Sequence, residues 1–227
     1  MIGRAAAFAC ALLLLAAPAA VPAQRLPRGA PRLIVHEDAP CPADSAEEIV
    51  VCSRGVLTPE AQRLLRAVAR CMVGHWPRDA RALLTADLEG ATYHGAARRF
   101  IARHPGCTPR GTLSFGGLLF AGALAETLMR TYDDLPERVA YRPSLPALRV
   151  TNDPDLMSVC AVRSEPAAAA ALLRSMPGSA EEEAAVRALQ PRLADCLRAG
   201  LTARFNRPAL RALLALSAYR LAVHNAG

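Results

Sequence analysis

The most distinctive side chains able to do chemistry are His75, Trp76 and Asp79, gathered where Pro77 breaks a helix. An imidazole and a carboxylate beside the chain's only tryptophan make a compact anchoring set. Buried aromatic area and a few directed polar contacts together hold a partner. His94, His104 and Glu126 complete the candidates. With His75 and Asp79, Glu126 would equip a hydrolase if the three converged in one cleft. Each residue also has a plainer role. His94 and His104 lie ten positions apart, off a common helical face, which argues against a metal pair. His94 with Arg98 and Glu126 with Arg130 are i,i+4 neighbours that read as solvated surface pairs. Trp76 reads as a hydrophobic plug over a disulfide. Ser114 near Gly116-Gly117 lacks the GxSxG context, and HExxH, P-loop and dinucleotide glycine motifs do not occur. No metal, cofactor or catalytic residue is expected.

These candidates sit inside a stretch that occurs twice. Cys71 to Gly111 lies over Cys160 to Gly200 without a gap, and 13 of the 41 positions are identical. Alanine matches carry little weight here, but Cys71, Val73, Pro77, Leu83, Leu84, Arg98, Arg103, Cys107 and Gly111 share one register. An internal repeat of this kind is a statement about architecture. It also acts as a filter. The positions matching His75, Trp76, Asp79, His94, His104 and Glu126 are Ser164, Glu165, Ala168, Glu183, Leu193 and Ala215. Function, if local, belongs to the first copy.

The start of the chain reads as a signal peptide, residues 1–23. Arg4 precedes an apolar run from Ala5 to Ala17, and Val21-Pro22-Ala23 is a small-residue cleavage site. Six cysteines follow, Cys41, Cys52, Cys71, Cys107, Cys160 and Cys196, an even number that in an exported chain implies disulfides. If each copy closes on itself, the bonds are Cys71–Cys107 and Cys160–Cys196, which leaves Cys41–Cys52. Both repeat bonds span 36 positions (107 − 71 and 196 − 160). Each closes a loop worth roughly 4 kcal/mol in the chain-entropy description.

The full chain carries +7, and every basic residue is arginine. The arginines are scattered among acids with few aromatics for base stacking, so nucleic acid is not an expected partner. Residues 24–57 form an irregular arm clipped by a disulfide, with a short strand at Ile49-Val50-Val51. Thr58-Pro59-Glu60 opens a helix, and Asp153-Pro154-Asp155 repeats that logic. Residues 58–135 and 153–227 are the two helical repeats, joined by a proline-rich linker, residues 136–152. Within them a buried helix is expected from about Thr112 to Tyr132. Its apolar section, Leu113 to Ala125, is too short to cross a bilayer, and no transmembrane span is expected in the mature chain. Gly116, Gly117 and Gly122 point to close approach by another backbone. Ser179 with Glu182 makes a capping box, Pro191 is expected to kink or divide its helix, and no strand is expected after Val51. The fold class is therefore all-α: two tandem disulfide-stapled four-helix units.

CPADSAEEIVVCSR resembles a "CP…EIVVC" segment near the start of exported alphaproteobacterial proteins. The pattern C…P…A-LL…C…G, followed by a Leu/Ala helix, is similar to a group of exported bacterial helical proteins. The resemblance implies a helical fold and a periplasmic or secreted location, with no activity attached. The expected function is a non-catalytic helical module that binds a protein or cell-envelope component, with His75, Trp76 and Asp79 as contact residues. The alternatives are a periplasmic hydrolase using His75, Asp79 and Glu126, or peripheral binding to anionic membrane or cell wall through arginine.

Overall fold

The computed structural model describes residues 32–36, 48–51, 57–85, 91–108, 116–150 and 152–226. The leader and the pairing Cys41–Cys52 lie outside the described residues. Helix α1 (Pro59–His75) starts where the Thr58 hydroxyl accepts the Ala61 amide N–H at 3.3 Å, with Pro59 in the first turn and Glu60 at the positive dipole end. Its buried stripe is Leu65, Val68, Ala69 and Met72. Trp76 ends α1 and begins α2 (Pro77–Leu84), since the proline cannot continue the preceding hydrogen-bond ladder. Then come α3 (Ala91–Arg103), a 3-10 turn (Pro105–Cys107), α4 (Gly117–Met129) and α5 (Leu135–Val139).

The remaining elements follow in the second half. In α6 (Asp153–Ser164) the cap is Asn152, one residue ahead of the expected Asp153, and its Oδ1 accepts the Asp155 amide at 2.8 Å. Glu165 separates α6 from α7 (Pro166–Arg174) with φ −132° and ψ 62°, against −132° and 59° at Trp76. Helix α8 (Ala180–Asp195) runs undivided through Pro191, and α9 (Arg207–His224) closes the chain. The bonds Cys71–Cys107 and Cys160–Cys196 are present, with Cα atoms 5.5 and 5.8 Å apart. Each ties the first helix of its half to the end of the third.

Helices dominate and the all-α class holds. Three further expectations are corrected. A strand does follow Val51: β3 (Thr202–Asn206) pairs in parallel with β1 (Arg32–His36) on one side and β2 (Glu48–Val51) on the other. The arm is therefore not wholly irregular, because it supplies both outer strands of a small sheet. Ala203 and Phe205 alternate inward from β3, and Asn206 then caps α9 through its Oδ1 and the Ala209 amide at 3.1 Å. The linker is also partly ordered, because its first residues belong to α5.

The two halves share one core. Helices α4 and α9 are apolar on nearly every side and pack together, with α1 against α4 and α6 against α9. Gly122 makes this crossing possible. A Cβ there would sit 2.5 Å from the Ala212 Cα, so only glycine lets the two backbones approach this closely.

Candidate functional site

Arg211 lies in α9 between Leu210 and Ala212, on a helix buried almost all round. A guanidinium there must satisfy five N–H donors away from water. Its Nε donates to Glu126 Oε1 at 2.7 Å and Nη2 donates to Glu126 Oε2 at 3.1 Å. Nη1 donates to Glu182 Oε1 at 2.7 Å and to the Ser175 hydroxyl at 3.2 Å. The carbonyls of Leu173 and Ser175 accept from Nη2 at 3.2 and 3.0 Å. Burial pulls the Arg211 pKa down, but the carboxylates of Glu126 and Glu182 outweigh that and hold it above the usual value.

The acids are supported in turn. Glu182 Oε2 accepts the Gly178 amide at 2.7 Å, and Gly178 has φ +79°, a conformation glycine adopts at little cost. The Ser179–Glu182 capping pair is present, but the Glu182 side chain reaches one residue beyond the cap and also serves Arg211. Arg66 from α1 brings Nε to 3.2 Å from Glu126 Oε2 and donates Nη1 to the Ser175 carbonyl at 3.0 Å. Two guanidinium groups and two carboxylates thus balance within the core. Glu126 is no surface partner of Arg130, contrary to expectation. It is 7% exposed and committed to Arg211 and Arg66.

Arg66 leads from this cluster into a cleft of about 440 Å³. Arg63, Arg66 and Arg70 line it from one face of α1, Arg130 from the end of α4 and Arg174 from the end of α7. Against these five positive charges stand Glu126 and Asp133, so the lining carries 5 − 2 = +3. Burial lowers the Arg66 pKa; Glu126 opposes that, while Arg211, Arg130 and Arg70 add to it. Arg63 is partly committed to Glu60, at 2.6 Å, and Arg174 to the Asp133 carbonyl, at 3.0 Å. The exposed side chains of Arg70 and Arg130 hold no ion pair or hydrogen bond among the described residues. Met129, Tyr132, Leu135, Leu173 and Met176 form an apolar wall beside them. The arrangement suits an anion with an apolar portion.

The residues singled out from the sequence are elsewhere. Trp76 is half-buried at the α1–α2 corner, its ring stacked on His104 with centroids 3.4 Å apart and planes 20° apart. The His75 ring lies 5.2 Å from Trp76, tilted by 48°, and Phe100 meets His104 edge-on. His104 is buried, and its Nε2 has no hydrogen-bond partner among the described residues. His75, Asp79 and His94 are exposed. The structure brings His75, Trp76 and His104 together. It does not bring Glu126 to them: neither cavity lined by Glu126 includes His75 or Asp79. Among the described residues no three His, Cys, Asp or Glu side chains are grouped to hold a metal, and no single helix is long and apolar enough to cross a membrane.

Reading the sequence missed Arg211, Glu182 in its ion-pair role, and the cleft. One signal was available: Glu126 is the single charge within α4, and Arg211 interrupts the apolar first half of α9, where a charge needs an opposite partner. No protein family, curated protein or solved structure matches this chain.

Proposed function

We propose that this chain is an exported, non-catalytic helical module that binds a protein or cell-envelope component in the cleft between α1, α4 and α7. The observation that carries the reading is the cleft itself: about 440 Å³, within the size range of ligand sites, with a lining of +3 and the uncommitted guanidinium groups of Arg70 and Arg130. Export is supported by the leader-like start, by the paired cysteines and by the resemblance of the arm to exported bacterial proteins. A duplicated four-helix unit is supported by the equal 36-residue span of the two disulfides and by the matching backbone at Trp76 and Glu165. His75, Trp76 and Asp79 are a second candidate contact, though the stacking on His104 already covers one face of Trp76.

The test is capture from the native envelope fraction with the mature secreted protein as bait. Arg70→Gln/Arg130→Gln should lose a component that the wild type retains. Arg99→Gln/Arg103→Gln, which removes the same charge from the exposed face of α3, should keep it. Equal retention by all three proteins would remove the cleft from the account.

A further inference from the structure

We infer that the cleft receives a phosphomonoester joined to an apolar group, with Arg70 and Arg130 gripping the phosphate. This inference rests on the reading of the cleft as a binding site and names its ligand chemistry. Three observations carry it. First, the residues lining the cleft carry +3, or 5 − 3 = +2 once Glu60, the partner of Arg63, is counted, more than one carboxylate can balance. A phosphomonoester brings about −1.5 to −2 and three acceptor oxygens. Second, of the five arginines, Arg63, Arg66 and Arg174 already serve acids or carbonyls of the fold, while Arg70 and Arg130 serve none among the described residues. Two free forks from different helices match an oxyanion with several acceptor edges, since each guanidinium presents paired N–H donors in one plane. Third, the surface beside them is apolar. Leu135, Leu173 and Met129 are buried, Tyr132 is half-exposed, and Met176 stands 55% exposed at the rim. An inorganic ion would leave the exposed parts of Tyr132 and Met176 in water. An organic phosphate covers them.

The phosphate group has two possible sources, a soluble ester or a lipid headgroup, and the experiment separates them. Phenyl phosphate is titrated calorimetrically into the mature protein, with benzoate as the carboxylate counterpart and inorganic phosphate as the ion without an apolar part. Vesicles of phosphatidylcholine with and without phosphatidic acid form the lipid arm. Phenyl phosphate should bind more tightly than either small comparison ion, by about tenfold if one charge-assisted hydrogen bond or the apolar wall is lost. Arg70→Gln/Arg130→Gln should weaken it by at least about tenfold. Arg130→Lys, which keeps the charge but not the fork, should fall between. Arg99→Gln/Arg103→Gln should match the wild type. Both altered pairs are exposed, and equal melting temperatures establish that each variant is folded. Vesicle binding that needs both phosphatidic acid and Arg70/Arg130 assigns the lipid source, and phenyl phosphate binding alone assigns the soluble one.

Absence of binding in both arms overturns the phosphate assignment, as does equal weakening by the α3 pair, which would reduce the effect to overall charge. Benzoate binding as tightly as phenyl phosphate overturns it too, in favour of a carboxylate. In each of these cases, envelope capture that still depends on Arg70 and Arg130 would leave the cleft as a binding site with a different ligand.

Discussion

Arg211 of α9 closes on Glu126 of α4 with two parallel bonds, 2.7 and 3.1 Å long, in a core where both side chains are almost wholly hidden. The pair joins the two central helices, and Glu182 and Arg66 extend it to α8 and α1. Such a cluster is costly to desolvate and costlier to leave half-made. Arg211→Met should therefore destabilise the protein by about 3–5 kcal/mol, because Glu126 and Glu182 are left buried without their partner. Adding Glu126→Gln and Glu182→Gln should restore part of that loss, so the triple variant unfolds at higher urea than the single one. Strict additivity of the three changes would contradict a coupled network.

The Gly122–Ala212 crossing gives a prediction of opposite sign to helix propensity. In an exposed helix Gly→Ala stabilises by about 1 kcal/mol. Here the added Cβ would fall 2.5 Å from the Ala212 Cα, a backbone atom that cannot turn away. Gly122→Ala should lower stability by about 1–3 kcal/mol, the usual cost of overpacking. Ala212→Gly should rescue it only in part, since removing the Ala212 Cβ leaves the Cα clash. A gain in melting temperature for Gly122→Ala would show that α4 and α9 are not so close.

Much of this architecture was legible in local pattern. Thr58-Pro59-Glu60 marked a helix start through capping chemistry, and Gly122 within an apolar run marked close packing. The equal cysteine spacing implied the two staples that are present. What escaped depends on partners distant in the chain. Strand β3 alternates over only five residues, and its neighbour Arg32 precedes Thr202 by 170 positions (202 − 32). Arg130, at i+4, looked like the natural partner of Glu126, but the side chain that holds Glu126 is 85 positions away. Helical spacing reports which residues are near along one helix and says nothing about which helix lies across from them. The cleft escaped for the same reason, because its arginines come from three helices.

Tyr93 gives the pH dependence. Its side chain is fully buried, its hydroxyl donates to the Gly117 carbonyl at 3.1 Å, and burial pushes its pKa well above the ordinary tyrosine value. The folded phenol stays neutral while the unfolded one ionises near pH 10. The stability it contributes is complete below about pH 10 and is lost as pH rises further, at about 1.4 kcal/mol per unit. Tyr219, also raised by burial, contributes in the same direction. Tyr93→Phe should therefore give a shallower decline of unfolding free energy above pH 10, and parallel curves for the two proteins would contradict this.

The staples should matter as loop closures. Cys71→Ser/Cys107→Ser and Cys160→Ser/Cys196→Ser should each lower unfolding free energy by about 2–5 kcal/mol. Non-reducing peptide mapping should recover Cys71 joined to Cys107 and Cys160 joined to Cys196. A Cys71–Cys160 peptide would contradict the fold.

Site-specific photo-crosslinking in the native envelope shows whether partners are met in the arginine-lined cleft. A photoreactive residue replaces Met176, exposed at the cleft rim, or His75, exposed at the α1–α2 corner. A discrete crosslinked product is expected from position 176 and should disappear in the Arg70→Gln/Arg130→Gln background. A product from position 75 alone, or one from position 176 that persists without the two arginines, would contradict binding in the cleft.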